Sequence, residues 1–187
     1  YGGGIIINES NVSEIVNTST GTIRVIDSLV NSAPIRVNIG GIVNKIENNG
    51  TISATGSKHS RGIISINTGI INQLINTGTI SAQGGSDSNH GIAIWNNSGT
   101  ALINSGSISG SGGSYSYGIR VGNDGNFSSI TNSGTISGGK DGIANSNNIT
   151  NIINTGTITG STGYGIHNNE GSITNLTNSQ NNLTLLG

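Results

Sequence analysis

A six-residue phrase, Asn-x-Gly-(Thr/Ser)-Ile-(Ser/Thr), returns along the chain at nearly fixed intervals. It occupies 48–53, 76–81, 104–109, 132–137 and 154–159. Its glycines, Gly50, Gly78, Gly106, Gly134 and Gly156, are spaced by 28, 28, 28 and 22 residues. A period of this size belongs to stacked supersecondary units, because one such unit is too small to bury its own apolar face. Two further phrases accompany each copy. One is Gly-Ile-x, at Gly62, Gly91, Gly118, Gly142 and Gly165. The other is an apolar run leading back to the next Asn, as in 71–76, 127–132, 149–154 and 173–178. Each segment is short, β-branched and bounded by Gly, Asn or Ser, which reads as strand rather than helix.

Three strands per repeat predict an all-β fold: a right-handed parallel β-helix, or three-sheet β-solenoid, with coils of about 22–29 residues. Side chains alternate along a strand, so the phrase Ile points inward and its Thr and Ser neighbours face solvent. Coils stack ~4.8 Å apart, which should pile Ile52, Ile80, Ile108, Ile136 and Ile158 into one interior column. The phrase asparagines Asn48, Asn76, Asn104, Asn132 and Asn154, followed by Asn178, should form an amide ladder at a corner. The glycine after them is expected to supply a positive φ at the turn.

Composition narrows the class. Gly is 32 of 187 residues, about twice the usual share, with no three-residue period, so collagen is excluded. Periodic Ile argues against disorder. A net charge of −1 gives no electrostatic case for a nucleic-acid partner. The absence of Cys removes disulfide scaffolds and thiolate metal sites, and no apolar run reaches membrane-spanning length. The sequence reads as one solenoid segment over 1–187. Residues 1–41 form irregular first coils, 42–180 regular coils and 181–187 an end strand. Starting at Tyr1, it is expected to be cut from a longer rod.

The repeated Ile/Leu-x-Asn-(Ser/Thr/Asn)-Gly-(Thr/Ser)-Ile-(Ser/Thr) phrases resemble the β-helical passenger of bacterial type V autotransporters. The likeness covers roughly residues 42–180 and is looser over 1–41. It implies a protein displayed on the outer membrane or secreted, with a signal peptide upstream and a C-terminal outer-membrane β-barrel. It also implies a role in virulence as an adhesin, a self-associating factor, a toxin or an enzyme carrier. No Gly-x-Ser-x-Gly nucleophile phrase is present, so no protease residues carry over.

Coil length varies chiefly between the Thr-Ile-Ser and Gly-Ile strands: 54–61, 82–90 and 110–117, against 138–141 and 160–164. These insertions are expected to stack as a ridge of loops, the side on which solenoids often bind. Tyr115, Tyr117 and Tyr164 fall there with Arg61, His90 and Lys140, and Trp95 follows a Gly-Ile strand. Tyr, Trp and Arg combine large contact area with hydrogen bonding, so these seven are the candidate binding residues. The acids Asp87 and Asp141 occupy different registers of the ridge and make no carboxylate pair. His59, His90 and His167 lack the further ligands of a zinc site. Neither metal nor cofactor is expected, and the outward Thr-x-Ser rows read as ordinary exposed strand. The sequence therefore points to a non-enzymatic adhesive segment whose partner is a host-cell surface protein, a glycan or another copy of itself. A receptor-binding, oligomerising toxin segment and a polysaccharide-acting β-helix of lyase or tailspike type remain open.

Overall fold

A computed structural model describes residues 2–27, 31–95 and 99–179. The end strand expected over 181–187, and residues 1 and 28–30 of the first coils, lie outside the described residues. The rest forms three parallel sheets wound as a β-solenoid of about 6 turns. The first sheet contains β1 (Gly2–Asn8), β4 (Asn31–Asn38), β7 (His59–Ser65), β10 (Ser88–Ile94), β13 (Tyr115–Val121), β16 (Asp141–Asn145) and β19 (Ile166–Asn168). The second contains β2 (Asn11–Asn17), β5 (Ile42–Asn48), β8 (Ile70–Asn76), β11 (Thr100–Asn104), β14 (Asn126–Asn132), β17 (Asn148–Asn154) and β20 (Ser172–Asn178). The third contains β3 (Thr22–Asp27), β6 (Thr51–Gly56), β9 (Thr79–Gly84), β12 (Ser107–Ser111), β15 (Thr135–Gly138) and β18 (Thr157–Gly160). Each of the first six coils gives one strand to each sheet, β19 and β20 continue the first and second sheets, and every strand pairs with its counterparts in the adjacent coils.

Register follows the repeat. Ile52, Ile80, Ile108, Ile136 and Ile158 pair directly in succession, as do the Thr/Ser residues on either side. The first four isoleucines are fully buried, and Ile158, on the last described strand of the third sheet, is partly buried. Further columns close the core: Ile46, Leu74, Leu102, Ile130 and Ile152 from the second sheet, and Ile35, Ile63, Ile92, Ile119 and Ile143 from the first. Each such side chain contributes roughly 1.5–3 kcal/mol on burial. No coil covers both sides of its own layer, so this energy exists only in the stack.

The corner between the second and third sheets is held by the asparagine ladder. Nδ2 donates to the next coil's Oδ1 at 2.7 Å from Asn48 to Asn76, Asn76 to Asn104 and Asn104 to Asn132. The steps from Asn132 to Asn154 and Asn154 to Asn178 are 2.8 Å. Asn17 extends the column by donating to Asn48. All these bonds run one way, so the amide dipoles line up along the rod. The phrase glycine has a different role from the positive φ expected of it. Among the described residues only Gly40, Gly99 and Gly112 are glycines with positive φ. What Gly106 provides is room: a Cβ there would lie 2.1 Å from the carbonyl oxygen of Gly78 in the coil below. Stacked corners pass too closely for any side chain, and that contact, rather than turn handedness, selects glycine.

The ridge of loops is also corrected. β6, β9 and β12 run on to Gly56, Gly84 and Ser111, while β7, β10 and β13 begin at His59, Ser88 and Tyr115. Only 57–58, 85–87 and 112–114 remain as turns. Successive insertions of similar length let their backbones pair in register, Ser88 with His59 and Tyr115, so the extra residues become strand.

Candidate functional site

Those lengthened strands carry the candidate residues onto the outer face of the first sheet. In β10, His90 pairs with Arg61 of β7 on one side and Tyr117 of β13 on the other, and Tyr117 pairs with Asp141 of β16. The glycine following each of these residues is inward-facing. At Gly91 a Cβ would lie 2.7 Å from Ile108 Cγ2, so a side chain there would intrude on the core. Beyond the glycines a second outward row runs Arg36, Ile64, Ala93, Arg120, Ala144, His167. Ile64 and Ala93 are buried away from the main core, together with Ala33, under Trp95 and Ile66. The outer face is thus packed against its own large side chains rather than left to water.

An open cleft of about 210 Å³ lies on this face, lined by Arg61, Ser88, His90, Trp95, Tyr115, Tyr117 and Arg120. Trp95 lies across Gly122, where a Cβ would fall 1.3 Å from the indole Cδ1. The Arg61 guanidinium sits 5.1 Å from the centre of the Trp95 ring, and that of Arg120 sits 5.6 Å from the Tyr117 ring. His90 stacks on Tyr117 with centroids 5.2 Å apart and planes 12° from parallel, and meets Trp95 edge-on at 6.1 Å. Tyr115 is 52% exposed, with Lys140 Nζ 5.1 Å from its ring centre. Each cation therefore rests on an aromatic face, which orients it.

Electrostatics set this patch apart. Arg61 donates from Nη1 to Asn31 Oδ1 at 2.9 Å, a neutral partner. Burial, and then the nearby Arg36, bring its pKa down to about 10, with Asp87 acting the other way. His90 is 3% exposed, and its Nδ1 is buried without a hydrogen bond of proper geometry. Burial first, then Arg61 and Arg120, hold its imidazole well below the usual histidine value; a contact with the Asn89 backbone offsets only part of this. His90 is therefore neutral at physiological pH. Tyr117 is pushed up, by burial above all, with Arg120 opposing. No carboxylate lines the cleft. Asp87 stands nearby, 3.7 Å from His59 Nε2. Asp141 is buried and engaged elsewhere, accepting from Tyr164 N at 2.8 Å and lying 3.2 Å from His167 Nδ1.

Of the seven residues singled out from sequence, Arg61, His90, Trp95, Tyr115 and Tyr117 share the cleft, and Lys140 borders it through Tyr115. Tyr164 stands apart, its ring 5.1 Å from that of His167. Sequence reasoning missed Arg120 and Ser88. The signal for Arg120 was available: it follows a Gly-Ile pair, and that position faces outward in every coil. Among the described residues no three of His, Asp and Glu cluster as metal ligands. No protein family, curated protein or solved structure matches the chain.

Proposed function

We propose that this chain is a stretch of the β-helical passenger of a bacterial autotransporter-like protein, displayed on the cell surface or secreted, and that it works by binding rather than catalysis. In this reading the rod adheres to a host-cell surface protein or glycan, or to copies of itself, through the outer face of its first sheet. The observation that carries it is the cleft between Arg61 and Arg120. It gathers the only Trp, two of the four Tyr and two of the seven Lys and Arg of a chain whose exterior is otherwise mostly Asn, Ser, Thr and Gly. Aromatic and Arg side chains so grouped are the usual anchors of recognition. A lining without carboxylates favours binding over polysaccharide hydrolysis, which uses a carboxylate pair facing across the groove.

The experiment is an adhesion assay with the purified chain coupled to fluorescent beads, scored for bead–cell attachment to cultured epithelial cells and for bead–bead clustering. The double variant Tyr115→Ser, Arg120→Ser should lose one of these activities while unfolding at the same temperature as the parent. Attachment and clustering both unchanged in that variant would refute a role for this face. Absence of both in the parent would refute the adhesive reading.

A further inference from the structure

The chemistry of the cleft narrows what it would hold. Resting on the binding reading above, we infer that its ligand is an acidic sugar, a carboxylate-bearing residue of a glycan, seated between Arg61 and Arg120 with its ring against Tyr115 and Trp95.

Charge is the first ground. Arg36, Arg61, Arg120 and Lys140 are four of seven Lys and Arg residues, gathered on one face of a chain of net charge −1. Among the described residues neither Arg61 nor Arg120 makes an ion pair within 4.0 Å. Burial first, and then the like charge of Arg36, bring the Arg61 pKa down to about 10, so the guanidinium keeps its charge at a cost to the folded state. Packing does not require it, since Ala144 fills the next position of the Arg120 row. Two of these cations, Arg61 and Arg120, line a cleft that has no carboxylate in its walls, which is the arrangement an anion would relieve.

Shape is the second ground. Arg61 and Arg120 lie on strands two coils apart, roughly 10 Å along the stack, with His90 and Ala93 of the intervening strand between them. One carboxylate cannot bridge both, but a group the width of a pyranose ring fits between them and meets one guanidinium through two parallel hydrogen bonds. The cleft, at about 210 Å³, is smaller than the ~300–1,000 Å³ of an enclosed ligand site. One sugar residue with its neighbours left in solvent matches that volume.

The third ground is the character of the walls. Half-exposed Tyr115 and the partly buried Trp95 give the cleft aromatic walls for the apolar side of a sugar, while Ser88 and the tyrosine hydroxyl offer hydrogen bonds to its rim. Nucleic acid fits less well, because it needs cations along a track of phosphates and here they are confined to a few adjacent coils. A protein partner would have to cover upward of ~1,000 Å², most of it outside this cleft.

Trp95 is the only tryptophan, so its fluorescence reports on the cleft directly. The full chain is titrated with 3′-sialyllactose, with trigalacturonate, with neutral lactose and with sodium acetate. At least one acidic sugar should change the emission saturably and bind at least about tenfold more tightly than lactose or acetate. Which of the two binds identifies the source of the carboxylate. Arg120→Gln and Tyr115→Ala should each weaken that sugar about tenfold or more, whereas Lys45→Gln, on another sheet, should not. Both cleft variants are checked for unchanged thermal unfolding, and calorimetric titration repeats the comparison without relying on fluorescence.

Lactose binding as tightly as the acidic sugars would overturn the requirement for charge, and acetate doing so would reduce the site to a small-anion site. No binding of either acidic sugar by both methods would overturn the inference altogether. The bead assay separates the two levels of the argument. Acidic sugars failing while adhesion still depends on Tyr115 and Arg120 removes the ligand class and leaves the adhesive reading. Acidic sugars binding while adhesion is indifferent to those residues removes the adhesive reading and leaves the site.

Discussion

Substituting Asn104 tests whether the corner column is a hydrogen-bond ladder or only filled space. Its side chain is fully buried and central in the column. Nδ2 donates to Asn132 Oδ1 at 2.7 Å, to Thr135 O at 3.2 Å and to Gly106 O at 3.3 Å, so two N–H groups serve three acceptors. Oδ1 accepts from Asn76 at 2.7 Å. Asn104→Ala removes the equivalent of three buried hydrogen bonds. It also leaves Asn132 Oδ1 without its donor, while Asn76 keeps Gly78 O and Ser107 O as acceptors. At ~0.5–1.5 kcal/mol for each net bond, the loss is about 2–4 kcal/mol. Asn104→Asp is the sharper probe, because it preserves shape and places an oxygen where three acceptor oxygens wait. At pH 7 it buries an uncompensated carboxylate and should destabilise at least as much as Ala. Ser105→Ala, on the exposed neighbour, should stay within about 0.5 kcal/mol. Urea unfolding followed by circular dichroism gives the midpoints, compared at equal m because stacked coils can uncouple. If the Asp variant matches the parent, the column is held by volume and the ladder account is wrong.

Three other outcomes follow from the same geometry. Ile108→Ala, in the middle of the interior column, should cost about 2–5 kcal/mol, against less than about 0.5 kcal/mol for Ser107→Ala; the reverse order in thermal unfolding would invert the assigned facing. Gly122→Ala places a methyl 1.3 Å from the Trp95 ring, so the indole must move: its emission should shift, and the contact with Arg61 should loosen without a change of charge. Unaltered emission would show that the ring does not lie across Gly122. Stability should also fall in acid. His90 stays neutral in the fold, facing Arg61, Arg120 and the more distant His59, while in the unfolded chain it titrates near 6.5. Above that pH both states are neutral and the residue adds no pH dependence. Below it only the unfolded chain takes up the proton, and stability falls by up to about 1.4 kcal/mol per pH unit until the folded pKa is reached. His59, also lowered chiefly by burial, acts in the same direction. The urea midpoint should therefore drop between pH 7 and pH 5, and His90→Gln should flatten that drop; an equal drop in the variant assigns the effect elsewhere.

The inner half of the structure was legible because the repeat places one residue type at one position in every coil. Ile108 has Ile80 and Ile136 as its neighbours in the sheet, so its facing and its partners follow from one period and from alternation. The asparagine ladder follows in the same way. The boundaries of β7, β10 and β13 did not, because whether residues such as His59 or Tyr115 are strand depends on the adjacent coil having an insertion of similar length. That is a property of two coils, and turn-forming residues such as Ser57, Gly85 and Gly113 concealed it. The phrase glycine was recognised for the right position and the wrong reason. A close approach between stacked corners is invisible to reasoning confined to one turn.

Function is legible where the repeat is broken. The interior columns are nearly uniform, since any departure costs packing energy in two neighbouring coils. The outer face of the first sheet packs only against its own side chains, and it varies from Arg61 to His90 to Tyr117 to Asp141 along a single row. The outward rows flanking Ile108, by contrast, keep Thr or Ser in neighbouring coils. Three successive departures, Arg61, His90 and Tyr117, converge on one cleft, and this is what the proposed ligand site rests on. The scaffold also lowers the cost of holding a ligand. Arg61 and Arg120 already lie on Trp95 and Tyr117, and His90 is locked against Tyr117, so little side-chain freedom remains to be lost on binding.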